Sequence, residues 1–87
     1  MSRQRSMETI LASDYVSIGE LVRLTDSRYS TLKFYTEEGM LPFEQAEENL
    51  TRRYKREDTV ARILRIKELK STGLSIPQIK EALNMGE

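Results

Sequence analysis

The stretch SRYSTLKFYTEEGMLP, residues 27–42, gives the clearest indication of structure in this chain. Ser27 at its start and Gly39 near its end are typical of the two ends of an α-helix. Pro42 follows, and a proline cannot continue a helix. We therefore predict a helix over residues 28–38.

Two neighbouring aromatic residues divide this helix into an inner and an outer face. Tyr35 shares a face with Leu32, three residues before it, and we predict that both are buried. Phe34 must then point elsewhere, and we predict that it is exposed beside Lys33. The alternative is that Phe34 packs under the hairpin that follows. The predicted outer face consists of Tyr29, Ser30, Lys33, Phe34 and Glu37.

Another helix precedes this one. In the sequence SIGE, Ser17 and Glu20 can satisfy the first backbone N–H groups of a helix, an arrangement called a capping box. Apolar residues at helical spacing then predict a helix over residues 18–25. The polar turn TDS separates it from the helix at 28–38. This order is typical of a helix–turn–helix, although an ordinary helical corner has the same pattern.

The rest of the chain is predicted to form a hairpin and two more helices. Residues 40–54 combine a short extended piece, a polar loop and a returning strand. A helix over residues 56–72 follows, which Gly73 ends, and its apolar face consists of Val60, Ile63, Leu64 and Ile66. A second capping pattern, SIPQ, begins a last helix over residues 76–84.

These elements define the fold class and the domain organisation. We predict a mainly α winged helix–turn–helix with a small β-hairpin wing and two C-terminal helices. The domain covers residues 15–87. Residues 1–14 form an N-terminal arm, either a short helix or a disordered segment.

Composition excludes several classes of function. The chain has 87 residues, which fits one small domain, and it has no cysteine and no histidine. Disulfides, thiolate or imidazole metal sites and histidine-based catalysis are therefore excluded. We expect no enzymatic activity, no cofactor and no metal. No apolar stretch is long enough to span a membrane, so we expect a cytoplasmic, nucleoid-associated protein.

Charge is zoned along the chain, although 14 basic and 14 acidic residues cancel. Residues 36–50 carry only acidic charges, whereas residues 52–56 read RRYKR. Such zoning suits a binding surface. Arg52, Arg53 and Lys55 beside an aromatic residue suit a wing that lies along a phosphate backbone. The alternative is a solvated, charged strand edge.

The outer face of the helix at 28–38 has the chemistry to contact double-stranded DNA. Lys33 can contact a phosphate or a guanine, and Ser30 can contact donors or acceptors on base edges. Phe34 and Tyr29 can pack against thymine methyl groups and sugars. The helix N-terminus adds a positive potential that favours phosphate.

Several motifs between Val16 and Leu83 match the pattern of one known family. SIGEL is similar to that family's first helix, TLKFY to its Thr-Leu-Arg-Tyr-Tyr motif and GMLP to its Gly-Leu-Leu-Pro motif. NLTRRY is similar to the wing motif, and LKSTGLSIPQIKEAL to the last helix pair. Together they resemble the DNA-binding domain of the MerR family of bacterial transcription regulators.

This resemblance implies a winged helix–turn–helix that binds palindromic DNA as a homodimer. The contacts that it implies lie in the first turns of the helix at 28–38 and in the wing. They fall on Arg28, Tyr29, Ser30, Lys33 and Phe34, and on Arg52 with Arg53.

The chain departs from the family pattern at several positions. Ser30 stands where many members have arginine, and Lys33 replaces an arginine and cannot make its planar two-pronged contact. Asp26 and Leu50 stand where the family often has glycine, so a left-handed backbone there would have to be adopted by Asp26 or Asn49. The wing tip EQAEE is acidic, and we expect it to point away from phosphate or to meet a protein partner.

The end of the chain at Glu87 leads us to expect a small form of the family. Such a form lacks the long dimerisation helix and the effector domain that usually follow, so regulation by a bound inducer is not expected. Small relatives can pair through N-terminal segments. Met7, Ile10 and Leu11 are therefore our hypothesis for the dimer contact.

The sequence thus predicts a sequence-specific DNA-binding protein, most simply a transcription regulator. One alternative is an architectural DNA-binding protein of a mobile element, plasmid or nucleoid, similar to an excisionase or a terminase small subunit. Another is a protein-interaction module that has lost DNA binding.

Overall fold

The computed structural model describes residues 5–47 and 51–86. These residues form five helices and two short strands, in the order α1 Met7–Ala12, β1 Tyr15–Val16, α2 Ile18–Thr25, α3 Tyr29–Glu37, β2 Tyr54–Lys55, α4 Arg56–Ser71 and α5 Ile76–Gly86. The predicted fold class, a mainly α winged helix–turn–helix with a small antiparallel β element, is confirmed.

The capping box predicted at the start of α2 is present. Ser17 accepts a hydrogen bond from the backbone N–H of Glu20, and the Glu20 carboxylate accepts one from the backbone N–H of Ser17. The helix ends at Asp26, whose φ of 52° and ψ of 48° are left-handed. This conformation, which glycine bears most easily, turns the chain towards α3.

Helix α3 begins at Tyr29, one residue after the predicted start at Arg28, and Ser27, the other residue predicted near its start, does not cap it. The Ser27 hydroxyl lies 2.7 Å from the Thr25 hydroxyl and is engaged there. The N-cap position is occupied by Arg28, which makes no side-chain capping hydrogen bond. At the other end Gly39 has the predicted left-handed backbone, with a φ of 77°.

The two faces of α3 are as predicted. Leu32 and Tyr35 are buried in the core, with 0% and 4% of their surfaces exposed. Phe34 is 44% exposed, so the alternative that it packs under the hairpin is wrong. The core surrounds the inner face of α3 with side chains from every other helix, namely Ile10, Leu21, Ile63, Ile66, Ile79 and Leu83.

The β structure differs from the predicted hairpin over residues 40–54. Strand β2 pairs antiparallel with β1, with Tyr15 opposite Lys55 and Val16 opposite Tyr54. Within the predicted hairpin, Glu44 and Arg53 form one antiparallel bridge, with two backbone hydrogen bonds of 2.8 Å. Met40 and Leu41 are buried in the core instead of forming a strand.

The two C-terminal helices lie where predicted, although α5 extends beyond residue 84 to Gly86 and Leu64 is not buried. Ile63 and Ile66 of α4 are fully buried, whereas Leu64 is 52% exposed. The core covers only one stripe of α4, and Leu64 lies about 100° around the helix from Ile63. Ser75 and Gln78 form the predicted capping interactions at the start of α5.

The N-terminal arm packs on the domain through α1. Ile10 is completely buried in the core. Arg5 makes a two-pronged ion pair with Glu20, with N···O distances of 2.6 and 2.7 Å. Arg23 donates a 2.7 Å hydrogen bond to the backbone carbonyl of Arg5. The Arg5–Glu20 ion pair and the buried Ile10 side chain together hold the arm against the domain.

Candidate nucleic-acid interface

One face of α3 is exposed and carries a cation between two aromatic rings. Tyr29 is 55% exposed, and Ser30, Lys33 and Phe34 are exposed beside it. Arg28 precedes them, also exposed, at the helix N-terminus. Because no side chain caps this end, the backbone N–H groups of Tyr29 and Ser30 are available to an outside acceptor, whereas that of Thr31 bonds to the Arg28 carbonyl.

Two contacts fix the position of α3 in the fold. The Lys67 ammonium of α4 donates to the backbone carbonyl of Thr25 at 2.6 Å, and so holds the turn between α2 and α3. At the other end Thr36 shares a buried hydrogen bond of 2.9 Å with the hydroxyl of Tyr54 in β2. The helix is therefore anchored both to α4 and to the wing.

The basic residues of the wing are divided between two faces of its strand. Side chains alternate along a strand, so Arg52 shares a face with Tyr54, and Arg53 shares the other with Lys55. Arg52 therefore shares the face of the strand whose Tyr54 hydroxyl reaches Thr36, a buried residue of α3. Arg53 and Lys55 lie on the opposite face.

Arg53 and Lys55 line a groove of about 620 Å³ between the wing and α4. Its opposite wall includes Asp58, Arg62 and Arg65. The Arg62 guanidinium donates to the backbone carbonyl of Met40 at 2.6 Å, and this residue therefore has a structural role.

The acidic part of the wing is fastened to β1. The hydroxyl of Tyr15 donates to the Glu44 carboxylate at 2.8 Å. This hydrogen bond is the main reason that the pKa of Tyr15 is raised above its ordinary value of 10.0. Glu44 is thus directed towards β1, and both Glu44 and Glu47 are exposed.

A second groove, of about 410 Å³, lies beside the exposed face of α3. Ser30 and Phe34 form one wall, and Lys70 and Ser75, from α4 and the start of α5, contribute to the other. This places a further lysine, which the sequence analysis did not select, next to the aromatic side chain of α3.

A comparison with known protein families identifies the family of this chain. A model described as MerR HTH family regulatory protein matches residues 16–86. The chain belongs to the MerR family. At the level of that family it is a DNA-binding transcription regulator, and its partner is double-stranded DNA. No curated protein and no solved structure matches the chain.

The MerR-family domain brings together some of the candidate residues and separates others. Arg28, Tyr29, Ser30, Lys33 and Phe34 form one continuous surface on α3. Arg52 shares its face of the wing with Tyr54, whose hydroxyl bonds to Thr36 of the same helix. Arg53 and Lys55, on the other face of the strand, do not join it.

The departures of this chain from the MerR pattern have structural counterparts. Asp26 bears the left-handed backbone that the missing glycine made us expect. Asn49 and Leu50, the other position of this kind, lie outside the described residues, as does Glu48 of the acidic tip.

Other kinds of site find no support in the described part of the MerR domain. Residues 5–47 and 51–86 contain no group of acidic side chains that could hold a metal ion. None of their helices has the length and apolar character needed to cross a membrane.

Proposed function

We propose that this MerR-family regulator binds duplex DNA by placing α3 in the major groove, with Arg52 of the wing on the phosphate backbone. The observation that carries the proposal is the exposed surface of α3. It combines a cation, a hydroxyl and two aromatic rings beside an uncapped helix N-terminus.

The side chains of this surface suit the contents of a major groove. Lys33 is a point charge that can contact guanine O6 and N7 or a phosphate. The Ser30 hydroxyl can both donate and accept, and Tyr29 and Phe34 can pack against thymine methyl groups. This set supports direct reading of bases by α3.

The N-terminal end of α3 suits a phosphate. Its unbonded N–H groups and its dipole both favour an anion, and Arg28 adds a full positive charge at the same end. A phosphate bound here would fix the depth at which the helix enters the groove.

The wing supports a second phosphate contact through Arg52. In the proposed complex one duplex contacts both α3 and Arg52, whose face of the wing also bears Tyr54, bonded to Thr36 of α3. Arg53 and Lys55 remain candidates for contacts of the same sequence-independent kind, at a greater distance from α3.

The proposed active form is a homodimer on a palindromic site. Ile10, part of our initial hypothesis for the dimer contact, is buried within the protomer and cannot contact a partner. Met7 and Leu11 remain, 36% and 52% exposed and one helical turn apart on α1. Sedimentation of a Met7→Ser/Leu11→Ser variant tests this contact, since a dimer of unchanged affinity would contradict it.

Selection from a random duplex library, followed by binding titrations, tests the proposed function. For the selected duplex, Lys33→Ala should weaken binding by about 1–3 kcal/mol and relax sequence preference at the contacted base pair. Lys80→Ala is the matched control, because Lys80 pairs with Glu38 on the surface and lies outside the proposed interface. Failure to enrich any duplex, or equal binding by the Lys33 and Lys80 variants, would contradict the proposal.

A further inference from the structure

The guanidinium of Arg52 lies on an aromatic ring. Its central carbon is 4.6 Å from the centre of the Phe43 ring, within the range of a cation–π interaction. Arg52 is accordingly half-buried, although it stands in a strongly charged segment. The side chain of this proposed phosphate contact is therefore restrained before any DNA is bound.

The register of the wing explains this contact. Glu44 and Arg53 form a hydrogen-bonded pair, so the next pair across the strands is Phe43 with Tyr54. Arg52 is then the diagonal neighbour of Phe43 on the same face, a position that a long side chain can reach. The stacking is therefore consistent with the backbone pairing across the wing.

The ring of Phe43 is itself fixed from behind. It packs on Tyr54 with 6.1 Å between ring centres and a tilt of 52°. Tyr54 is buried, and its hydroxyl bonds to Thr36 of α3 at 2.9 Å. A continuous series of contacts thus runs from Arg52 through Phe43 and Tyr54 to the helix that we propose reads DNA.

We propose that Phe43 is a positioning residue that holds the Arg52 guanidinium at a set distance from α3 for contact with a phosphate. This inference rests on the proposed function. A restrained arginine loses less side-chain entropy on binding than a mobile one, so the stacking raises affinity without touching DNA. Phosphate contacts carry no sequence information, and the gain therefore applies to all duplexes.

The test is a double-mutant cycle on a fluorescein-labelled, mixed-sequence duplex of about three helical turns. Phe43→Leu should weaken binding about two- to fivefold, the value of an exposed cation–π contact. Phe43→Tyr, which keeps the ring, should bind like the wild type. In an Arg52→Ala background, Phe43→Leu should cause no further loss, since its effect passes through Arg52.

The cycle separates a positioning role from a merely structural one. A loss caused by damage to the wing would persist in the Arg52→Ala background and would overturn the inference. Equal binding by the wild type and Phe43→Leu would overturn it as well. Either result leaves the proposed function standing as long as Lys33→Ala weakens binding to the selected duplex, whereas failure of the wild type to bind any selected duplex removes the proposed function itself.

A measurement on the protein without DNA tests the geometry directly. The ring current of Phe43 should shift the Arg52 Nε–H proton resonance in the wild type and in Phe43→Tyr, and this shift should vanish in Phe43→Leu. An Arg52 resonance at the same position in all three proteins would overturn the stacking.

Discussion

Glu20 takes part in two interactions through a single carboxylate. Oε1 accepts from the backbone N–H of Ser17, which caps α2, and from Arg5 Nη2. Oε2 accepts from Arg5 Nε at 2.6 Å. These bonds, with that to Arg5 the strongest influence, lower the pKa of Glu20 below its ordinary value of 4.5. One residue therefore both starts a helix and holds the N-terminal arm.

The lowered pKa of Glu20 predicts a pH dependence of stability. The folded protein binds the Glu20 proton more weakly than the unfolded chain does. The stabilisation by Glu20 is therefore complete above the pKa of Glu20 in the unfolded chain, and it is lost as the pH falls through the pKa in the folded protein. Urea unfolding should show the wild type more stable than Glu20→Gln at neutral pH, with the difference shrinking below about pH 4.5. A difference that stays constant down to strongly acidic pH would contradict this assignment.

At the scale of elements, the turn between α2 and α3 sets the direction of the proposed reading helix. Asp26 adopts the left-handed conformation at the end of α2, and its backbone N–H bonds to the carbonyl of Val22. The ammonium of Lys67 reaches the carbonyls of Thr25 and Asp26 from α4. Local chain chemistry and a long-range contact thus specify the same turn.

Substitutions at Asp26 test the local part of this turn. Asp26→Val should lower the free energy of unfolding by about 1–2 kcal/mol, because a β-branched residue is strained at a φ of 52°. Asp26→Gly should be at least as stable as the wild type, since glycine adopts this conformation without strain. Urea titrations of the three proteins provide the ranking, and a valine variant as stable as the wild type would refute it.

Short-range chemistry accounts for the parts of the fold that the sequence predicted. The capping boxes at Ser17 and Ser75 and the spacing of Leu32 and Tyr35 each involve residues within one helical turn. Ser27 does not cap α3, which its position near the predicted start favoured, because its hydroxyl has a competing partner at Thr25.

Long-range pairing accounts for what the sequence did not predict. Strand β1 has only two residues, too few to show a periodicity, and its partner lies far along the chain. The contact between Phe43 and Arg52 depends on the register across the wing, which the polar loop does not reveal. The same holds for Lys70, which lines the groove beside α3 because of the packing of α4.

At the scale of the whole molecule, the N-terminal arm is part of the domain core. The family match begins at residue 16, yet Ile10 is fully buried among side chains from the other helices. For a chain of this size each buried side chain is a sizeable share of the hydrophobic stabilisation. The folded unit of this protein therefore begins before the part that resembles its family.

Ile10→Ala tests this extension of the core. Removing a fully buried isoleucine side chain should lower the free energy of unfolding by about 2–5 kcal/mol. Glu8→Ala, an exposed position on the same helix, should change it by about 0.5 kcal/mol or less. Thermal or urea unfolding of both variants measures this difference. Equal stabilities of Ile10→Ala and Glu8→Ala would show that the arm contributes nothing to the core.

Photo-crosslinking with 5-iodouracil tests most directly whether α3 enters the major groove. Iodine replaces the thymine methyl group there, and irradiation joins it to an aromatic side chain in contact. With each thymine of a selected duplex replaced in turn, mass spectrometry should find crosslinks at Tyr29 or Phe34. Crosslinks that fall only on other residues of a protein bound to its selected duplex would contradict the account.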